Sequence, residues 1–120
     1  MAGELTKDTR ITPARLAAKT LLDIKAVTIS PDNPFTFTSG RLSPVYVDCR
    51  RIISYPRARS LLMQMGKNLL DNQVGTEAFD AVAGGETAGI PFAAWISELL
   101  GLPMLYAVSY THLTLPTKQP

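Results

Sequence analysis

Between residues 12 and 106 the apolar positions switch between helical and extended spacing in the order of an α/β chain. Ala14, Ala17, Ala18, Leu21 and Leu22 recur at helical intervals. Thr12 before Pro13 supplies a capping hydroxyl and then a residue whose missing N–H costs nothing in a first turn. A helix to about Ile24 is expected. Ala26 to Ile29 is a short extended run, stopped by Ser30-Pro31-Asp32-Asn33-Pro34. Phe35 to Thr38 and Val45 to Asp48 read as the two strands of a hairpin about Ser39-Gly40-Arg41. Pro56 opens a second helix, with Ala58, Leu61, Leu62, Met65 and Leu69 on one face, that ends near Gly75.

Phe79 to Ala83 is an apolar run leading into Gly84-Gly85-Glu86-Thr87-Ala88-Gly89, after which Ile90 to Leu100 is apolar nearly all round, the mark of a buried helix. Gly101 closes that helix, and Pro103 to Tyr106 begins another strand. Residues 79–106 therefore form a β-loop-α-β crossover, the unit of a parallel sheet. A strand that passes through small residues into a helix aims unpaired N–H groups, and the positive end of the helix dipole, at one spot. Gly84 and Gly85 keep Cβ atoms away from an anion there, and Thr87 adds a hydroxyl donor or a cap. Local pattern alone leaves two readings open, a phosphate cradle or an ordinary tight turn.

Composition narrows the function classes. With 46% hydrophobic and 18% charged residues, the 120-residue chain has the apolar content of one packed domain. A net charge of +2 gives no dense basic face, so nucleic acid is not an expected partner. No apolar stretch approaches the ~20 residues of a membrane span, and the polar start Met1 to Arg10 lacks a signal-peptide core, so the expected location is the cytoplasm. Cys49 is the only cysteine; it excludes an internal disulfide and is expected to be a small buried residue. Eleven of the twelve basic residues lie between Lys7 and Lys67, which leaves the second half without cationic equipment until Lys118.

The segment Phe35-Thr36-Phe37-Thr38-Ser39-Gly40-Arg41-Leu42-Ser43-Pro44-Val45-Tyr46-Val47-Asp48 closely resembles the hood hairpin of orotate phosphoribosyltransferases. Ala83 to Pro91 sits where that family has its pyrophosphate loop, and the resemblance runs from about residue 12 to Tyr106. It implies a truncated type I phosphoribosyltransferase fold, a Rossmann-like parallel sheet with an N-terminal helix and hood hairpin. The implied reaction moves the ribosyl 5-phosphate of phosphoribosyl pyrophosphate to N1 of orotate, giving orotidine 5′-monophosphate and pyrophosphate. This is a glycosyl transfer of pyrimidine nucleotide synthesis, with Mg²⁺ accompanying the phosphoribosyl donor and a homodimer as the working enzyme.

The resemblance also assigns residues. The backbone of Tyr46 and Val47 would meet the pyrimidine edge, with Thr38 and Ser39 approaching from the neighbouring strand. Gly84, Gly85, Glu86, Thr87, Ala88 and Gly89 would hold pyrophosphate, in a loop that in the family often carries a non-proline cis peptide, here near Glu86-Thr87. Thr38 and Ala88 stand where several relatives have lysine. Tyr46 also suits plain hairpin packing, Arg41 suits either an anion or the turn, and Arg50 and Arg51 suit solvent, a site or a dimer contact. Trp95 and the methionines read as packing, and His112 receives no role.

Two family features are missing: an adjacent acidic pair with its following phosphate loop, and a lysine-rich loop after the strand at Tyr106. No two acidic residues are adjacent anywhere in the chain. Residues 107–120 instead resemble translated sequencing adapter, so the expected organisation is a family domain over residues 1–106 and a foreign, poorly packed tail. No catalytic residue or metal ligand is assigned, and the chain as written is expected to be inactive. A transferase for another base would share the loop but not the hairpin, and a non-enzymatic binding protein could share both.

Overall fold

The computed structural model describes residues 11–109 and 113–114. The chain divides between Arg59 and Ser60 into two compact units. The first opens with α1, Pro13–Asp23, capped as expected: the Thr12 hydroxyl accepts the Arg15 N–H at 3.2 Å. Its inner stripe is Leu16, Ala17, Thr20 and Leu21, with Ile24 buried just beyond the last turn. Ala14, Ala18 and Leu22 face outward, contrary to the expected stripe. Thr20 takes an inner place because its hydroxyl donates to the Leu16 carbonyl at 2.8 Å and so stays paired. The helix closes through Lys25 in the left-handed region, φ 60°, with the Lys25 and Ala26 N–H groups turned back to the carbonyls of Leu22 and Leu21.

β1, Val27–Ile29, runs antiparallel to β4, Val45–Val47, with Val27 opposite Val47, Thr28 opposite Tyr46 and Ile29 opposite Val45. β2, Phe35–Thr36, pairs separately with β3, Leu42–Ser43. The hairpin about residues 39–41 thus joins β2 to β3, and the Val45 strand, expected beside Phe35 to Thr38, belongs to β1. Pro44 accounts for the switch. It has no N–H with which to continue the ladder to β2, while its carbonyl accepts the Ser30 N–H at 2.7 Å. The Ser43 hydroxyl bridges the step, accepting the Val45 N–H at 3.1 Å and donating to the Val45 carbonyl at 2.8 Å.

A 3₁₀ turn, Cys49–Ser54, follows β4 and buries Ile52. Cys49, expected to be buried, is exposed, because the Asp48 cap places the first residue of the turn toward solvent and gives the inner position to Ile52. Arg51 fastens this turn to the end of α1. Its Nε donates to the Ile24 carbonyl at 3.1 Å and its Nη2 to the Tyr55 hydroxyl at 3.2 Å. Replacing Arg51 by alanine is expected to cost about 1–2 kcal/mol through the unpaired carbonyl and lost charged donors. Urea denaturation checks this, and an unchanged midpoint would show that the clamp does not stabilise the fold.

α2, Pro56–Gln73, begins in the first unit and continues into the second. Leu61, Leu62 and Met65 are half-buried along it, and Leu70 takes the inner place expected of the exposed Leu69. In the second unit β5, Val82–Gly85, lies parallel to β6, Met104–Ser109, with Val82 opposite Met104 and Gly85 opposite Ala107. β6 therefore runs past Tyr106, and its far end pairs antiparallel with β7, Leu113–Thr114.

α3, Gly89–Leu100, links β5 to β6 and ends at Gly101 with φ 68°. This is the expected crossover with an earlier helix start. The helix is not wholly buried as its composition suggested: only Ala93 and Ser97 are, and Leu99 is 39% exposed. Two strands ~5 Å apart present a narrow surface to a helix ~10 Å across, so they cover a single stripe of it. Among the described residues, no helix is long and apolar enough to cross a membrane.

Candidate functional site

The expected site residues fall into two groups, one in each unit. Thr38, Ser39, Tyr46 and Val47 belong to the first, and residues 84–89 to the second. Thr38 and Ser39 lie exposed in the β2–β3 turn, which is closed by the Phe37 N–H on the Arg41 carbonyl and the Gly40 N–H on the Phe37 carbonyl, both 2.8 Å. The Ser39 hydroxyl accepts the Arg41 N–H at 3.4 Å, so it serves the turn. Gly40 has φ 86°, a conformation that glycine adopts without strain.

The register of β1 and β4 decides which backbone groups of β4 are available. In an antiparallel ladder, opposed residues alternate between pairs that exchange both hydrogen bonds and pairs whose N–H and C=O point away. The Asp48 N–H donates to the Ala26 carbonyl at 2.8 Å and the Ser30 N–H to the Pro44 carbonyl, so the bonded pairs are Ala26 with Asp48, Thr28 with Tyr46 and Ser30 with Pro44. The backbone of Tyr46 is consequently used by β1. That of Val47 points to the other edge of β4, and Val47 is 47% exposed. Sequence reasoning gave both residues one backbone role; the ladder pairs the backbone of Tyr46 and leaves that of Val47 unpaired. Tyr46 contributes its ring, which stands 5.6 Å from that of Phe35 with 38° between their planes.

Next to this edge is an ion pair that the residue assignment missed. Arg50 Nε donates to Asp48 Oδ1 at 2.7 Å and its Nη2 to Oδ2 at 3.1 Å. The guanidinium holds the Asp48 carboxyl below the usual carboxylate range, chiefly through this side-chain bond. Because that carboxyl is depressed, the pair persists to lower pH than an unpaired aspartate would stay ionised. Arg50 is pushed above its ordinary value, first by Asp48 and further by the Tyr46 hydroxyl beside it. The signal in the sequence was the Asp-x-Arg spacing directly after a strand, which brings the two side chains to one side of a turn.

In the second unit β5 delivers the loop directly to the N-terminus of α3. The Glu86 N–H remains tied to the sheet, donating to the Ala107 carbonyl at 2.8 Å, and the Thr87 carbonyl accepts the Ile90 N–H at 3.2 Å. The Glu86–Thr87 peptide bond is cis, at the place the resemblance implies. Among the described residues no acceptor is found for the N–H groups of Thr87 and Ala88. Ala88 occupies the cap position of α3 without a side-chain cap, so Thr87 is not the capping hydroxyl. Two free amides at a helix N-terminus suit an anion with several oxygens.

The two glycines of the loop do different work. A Cβ on Gly84 would stand 2.7 Å from both the Ala93 Cβ and the Gly89 carbonyl oxygen, whereas one on Gly85 would meet nothing within 4 Å. Gly84 lets α3 approach β5, and Gly85 leaves the outer surface of the loop open. Among the described residues no three His, Cys, Asp or Glu side chains converge as a metal cage. Glu86 is the only acid of the loop.

No protein-family model matches the chain. It is 53% identical over 103 residues to the orotate phosphoribosyltransferase of Rhizobium rhizogenes, covering 86% of this chain and 44% of that relative. To the orotate phosphoribosyltransferase of Cereibacter sphaeroides it is 59% identical over 93 residues, 78% of this chain and 40% of the other. Among solved structures, the orotate phosphoribosyltransferase of Aeropyrum pernix matches with a TM-score of 0.64 at 30% identity, over 87% of this chain and 57% of that one. The UMP synthase of Leishmania donovani matches with a TM-score of 0.64 at 33% identity, over 76% and 19%. The chain spans less than half the length of these curated relatives.

Proposed function

Because this chain belongs to the orotate phosphoribosyltransferase family, we propose that it carries two working parts of a pentosyltransferase, an edge that reads orotate and a loop that holds pyrophosphate. In the proposed reaction N1 of orotate bonds to C1 of the phosphoribosyl group as the bond from C1 to pyrophosphate breaks, and the N1 proton is lost to the departing pyrophosphate or to solvent, giving orotidine 5′-monophosphate and pyrophosphate. The whole enzyme would work as a cytoplasmic homodimer, with Mg²⁺ supplying charge neutralisation on the phosphate oxygens when bound. Residues 107–120 are read as foreign to the domain, on the break in the resemblance after Tyr106.

The observation that carries the proposal is the free edge at Val47 beside the Tyr46 ring. A single residue that presents N–H and C=O in the same direction complements a cyclic amide, which presents C=O and N–H side by side. A pyrimidine is such a ring. Thr38 and Ser39 are exposed in the adjoining turn, where they can reach a substituent of the base. For pyrophosphate the free amides of Thr87 and Ala88 supply donors that are already oriented, the kind of stabilisation that a departing anion needs.

Amide NMR of the ¹⁵N-labelled chain tests both parts separately. Orotate is expected to shift Val47 and its neighbours in the first unit, and pyrophosphate to shift Thr87 and Ala88. If orotate at millimolar concentration moves none of these amides, or if hypoxanthine moves the same ones equally, the base-recognition reading is wrong.

A further inference from the structure

The outer edge of β4 carries two backbone pairs that face away from β1. Ile29 with Val45 and Val27 with Val47 are the non-bonded pairs of the ladder, alternating with the bonded ones at Ser30–Pro44, Thr28–Tyr46 and Ala26–Asp48. Val45 and Val47 therefore each turn an N–H and a C=O outward, two residues and about 7 Å apart along the strand. By backbone alone the two are equivalent, and the proposed base site would have two positions rather than one.

Ser43 breaks that equivalence. Its hydroxyl accepts the Val45 N–H at 3.1 Å and donates to the Val45 carbonyl at 2.8 Å, so one side-chain oxygen answers the whole pair. A cyclic amide would engage the same two groups with its own carbonyl and N–H. Pro44, between the two residues, has no N–H to offer and gives its carbonyl to Ser30. Among the described residues the backbone of Val47 has no such partner. The result is an edge with one open pair. An extended chain needs successive outward pairs to add as a strand, whereas a single ring needs only one.

We propose that Ser43 is a specificity-determining residue of the base site: its hydroxyl fills the Val45 pair as an internal stand-in for an amide and so confines a planar cyclic amide to Val47. This rests on the reading of the first unit as an orotate site. The consequence is one of register. A base docked at Val45 instead would carry its reacting nitrogen about 7 Å from the proper place, far beyond the ~1 Å at which a misplaced centre already loses about 100-fold.

The test compares the full ¹⁵N-labelled chain with its Ser43→Ala and Ser43→Thr variants, reading amide hydrogen exchange at Val45 and Val47 with and without orotate. The parent's Val45 N–H is expected to exchange about two- to tenfold more slowly than its Val47 N–H and than the Val45 N–H of Ser43→Ala, the factor one net hydrogen bond is worth. Orotate is expected to slow exchange at Val47 alone in the parent and at both positions in Ser43→Ala. Ser43→Thr keeps the hydroxyl and is expected to return to the parent's pattern. Equal exchange of Val45 and Val47 in the parent, or unchanged Val45 exchange in Ser43→Ala, overturns the proposal. So does a freed Val45 amide that ignores orotate while Val47 responds, or a threonine variant that behaves as the alanine one. If orotate slows neither amide in all three chains, the base-site reading falls, while faster Val45 exchange in Ser43→Ala leaves the closure of that position by Ser43 standing.

Discussion

Orotate, phosphoribosyl pyrophosphate and Mg²⁺ incubated with the 120-residue chain are expected to give orotidine 5′-monophosphate at least about 10⁴-fold more slowly than a full-length relative does. What the chain is proposed to hold is an edge for the base and, among its described residues, the unpaired amides of Thr87 and Ala88 for pyrophosphate. Binding groups of this kind lower the energy of the bound reactants, and only interactions that strengthen in the transition state increase the rate. The family's adjacent acidic pair, which would fix the ribose, has no counterpart, since no two acidic residues are adjacent. A reacting carbon misplaced by ~1 Å loses about 100-fold. The lysine-rich loop is also absent, with Lys118 the only basic residue after Lys67. Losing one oriented electrostatic donor costs about 100- to 1,000-fold more. Orotate consumption followed by absorbance decides the matter. Turnover within about 100-fold of a full-length relative would mean that the cations among Lys7 to Lys67 serve the chemistry after all.

Gly84→Ala is expected to destabilise the second unit far more than Gly85→Ala. Two of the three atoms its Cβ would meet within 3.0 Å are backbone atoms of Gly89, which cannot swing aside as a side-chain end can, and the third is the Ala93 Cβ on the buried stripe of α3. Either α3 moves off β5 or the loop shifts, at about 1–3 kcal/mol, the usual cost of overpacking. With so few buried residues among those described in the second unit, that is enough to leave a substantial unfolded fraction. Gly85→Ala is the matched control. Its Cβ would point into open space, so its stability should change by less than about 0.5 kcal/mol. Trp95 lies on α3, so its fluorescence during urea denaturation reports both variants. Equal stability of the two would show that α3 is not seated on Gly84 as described.

The parts of the fold legible in the sequence were those fixed by local signals. Thr12-Pro13 set the start of α1, Pro56 the start of α2, and the glycines before and after Ile90 to Leu100 marked the crossover, while the cis bond at Glu86–Thr87 was expected only from the family resemblance. Pairing of the short strands was less legible, because Phe35 to Thr38 and Val45 to Asp48 have equal strand character and only Pro44 decides that they enter different ladders. Burial was the least legible property. Cys49, Leu22, Leu69 and the outer flank of α3 are all apolar enough to be inside, and each is exposed because a local backbone decision or a narrow sheet gave the inner place to another residue. At the candidate site, residue types identified the segment, but not the alternation of hydrogen bonding along β4 that pairs the Tyr46 backbone and leaves that of Val47 unpaired. The Asp48–Arg50 pair was open to sequence reasoning only as a spacing, since its meaning depends on where the turn carries it.

The bond from the Glu86 N–H to the Ala107 carbonyl sets apart two kinds of information in this molecule. A carbonyl oxygen belongs to every amino acid, proline included, so the anchor at the start of the loop before α3 is indifferent to the letter at position 107. A mutational scan of Ala107 would pass over it in silence, although the adjoining amides depend on the strand being there. The template records only that a chain continues in register and not which chain it is, so a segment with no shared ancestry can occupy the position and still hold the loop in shape.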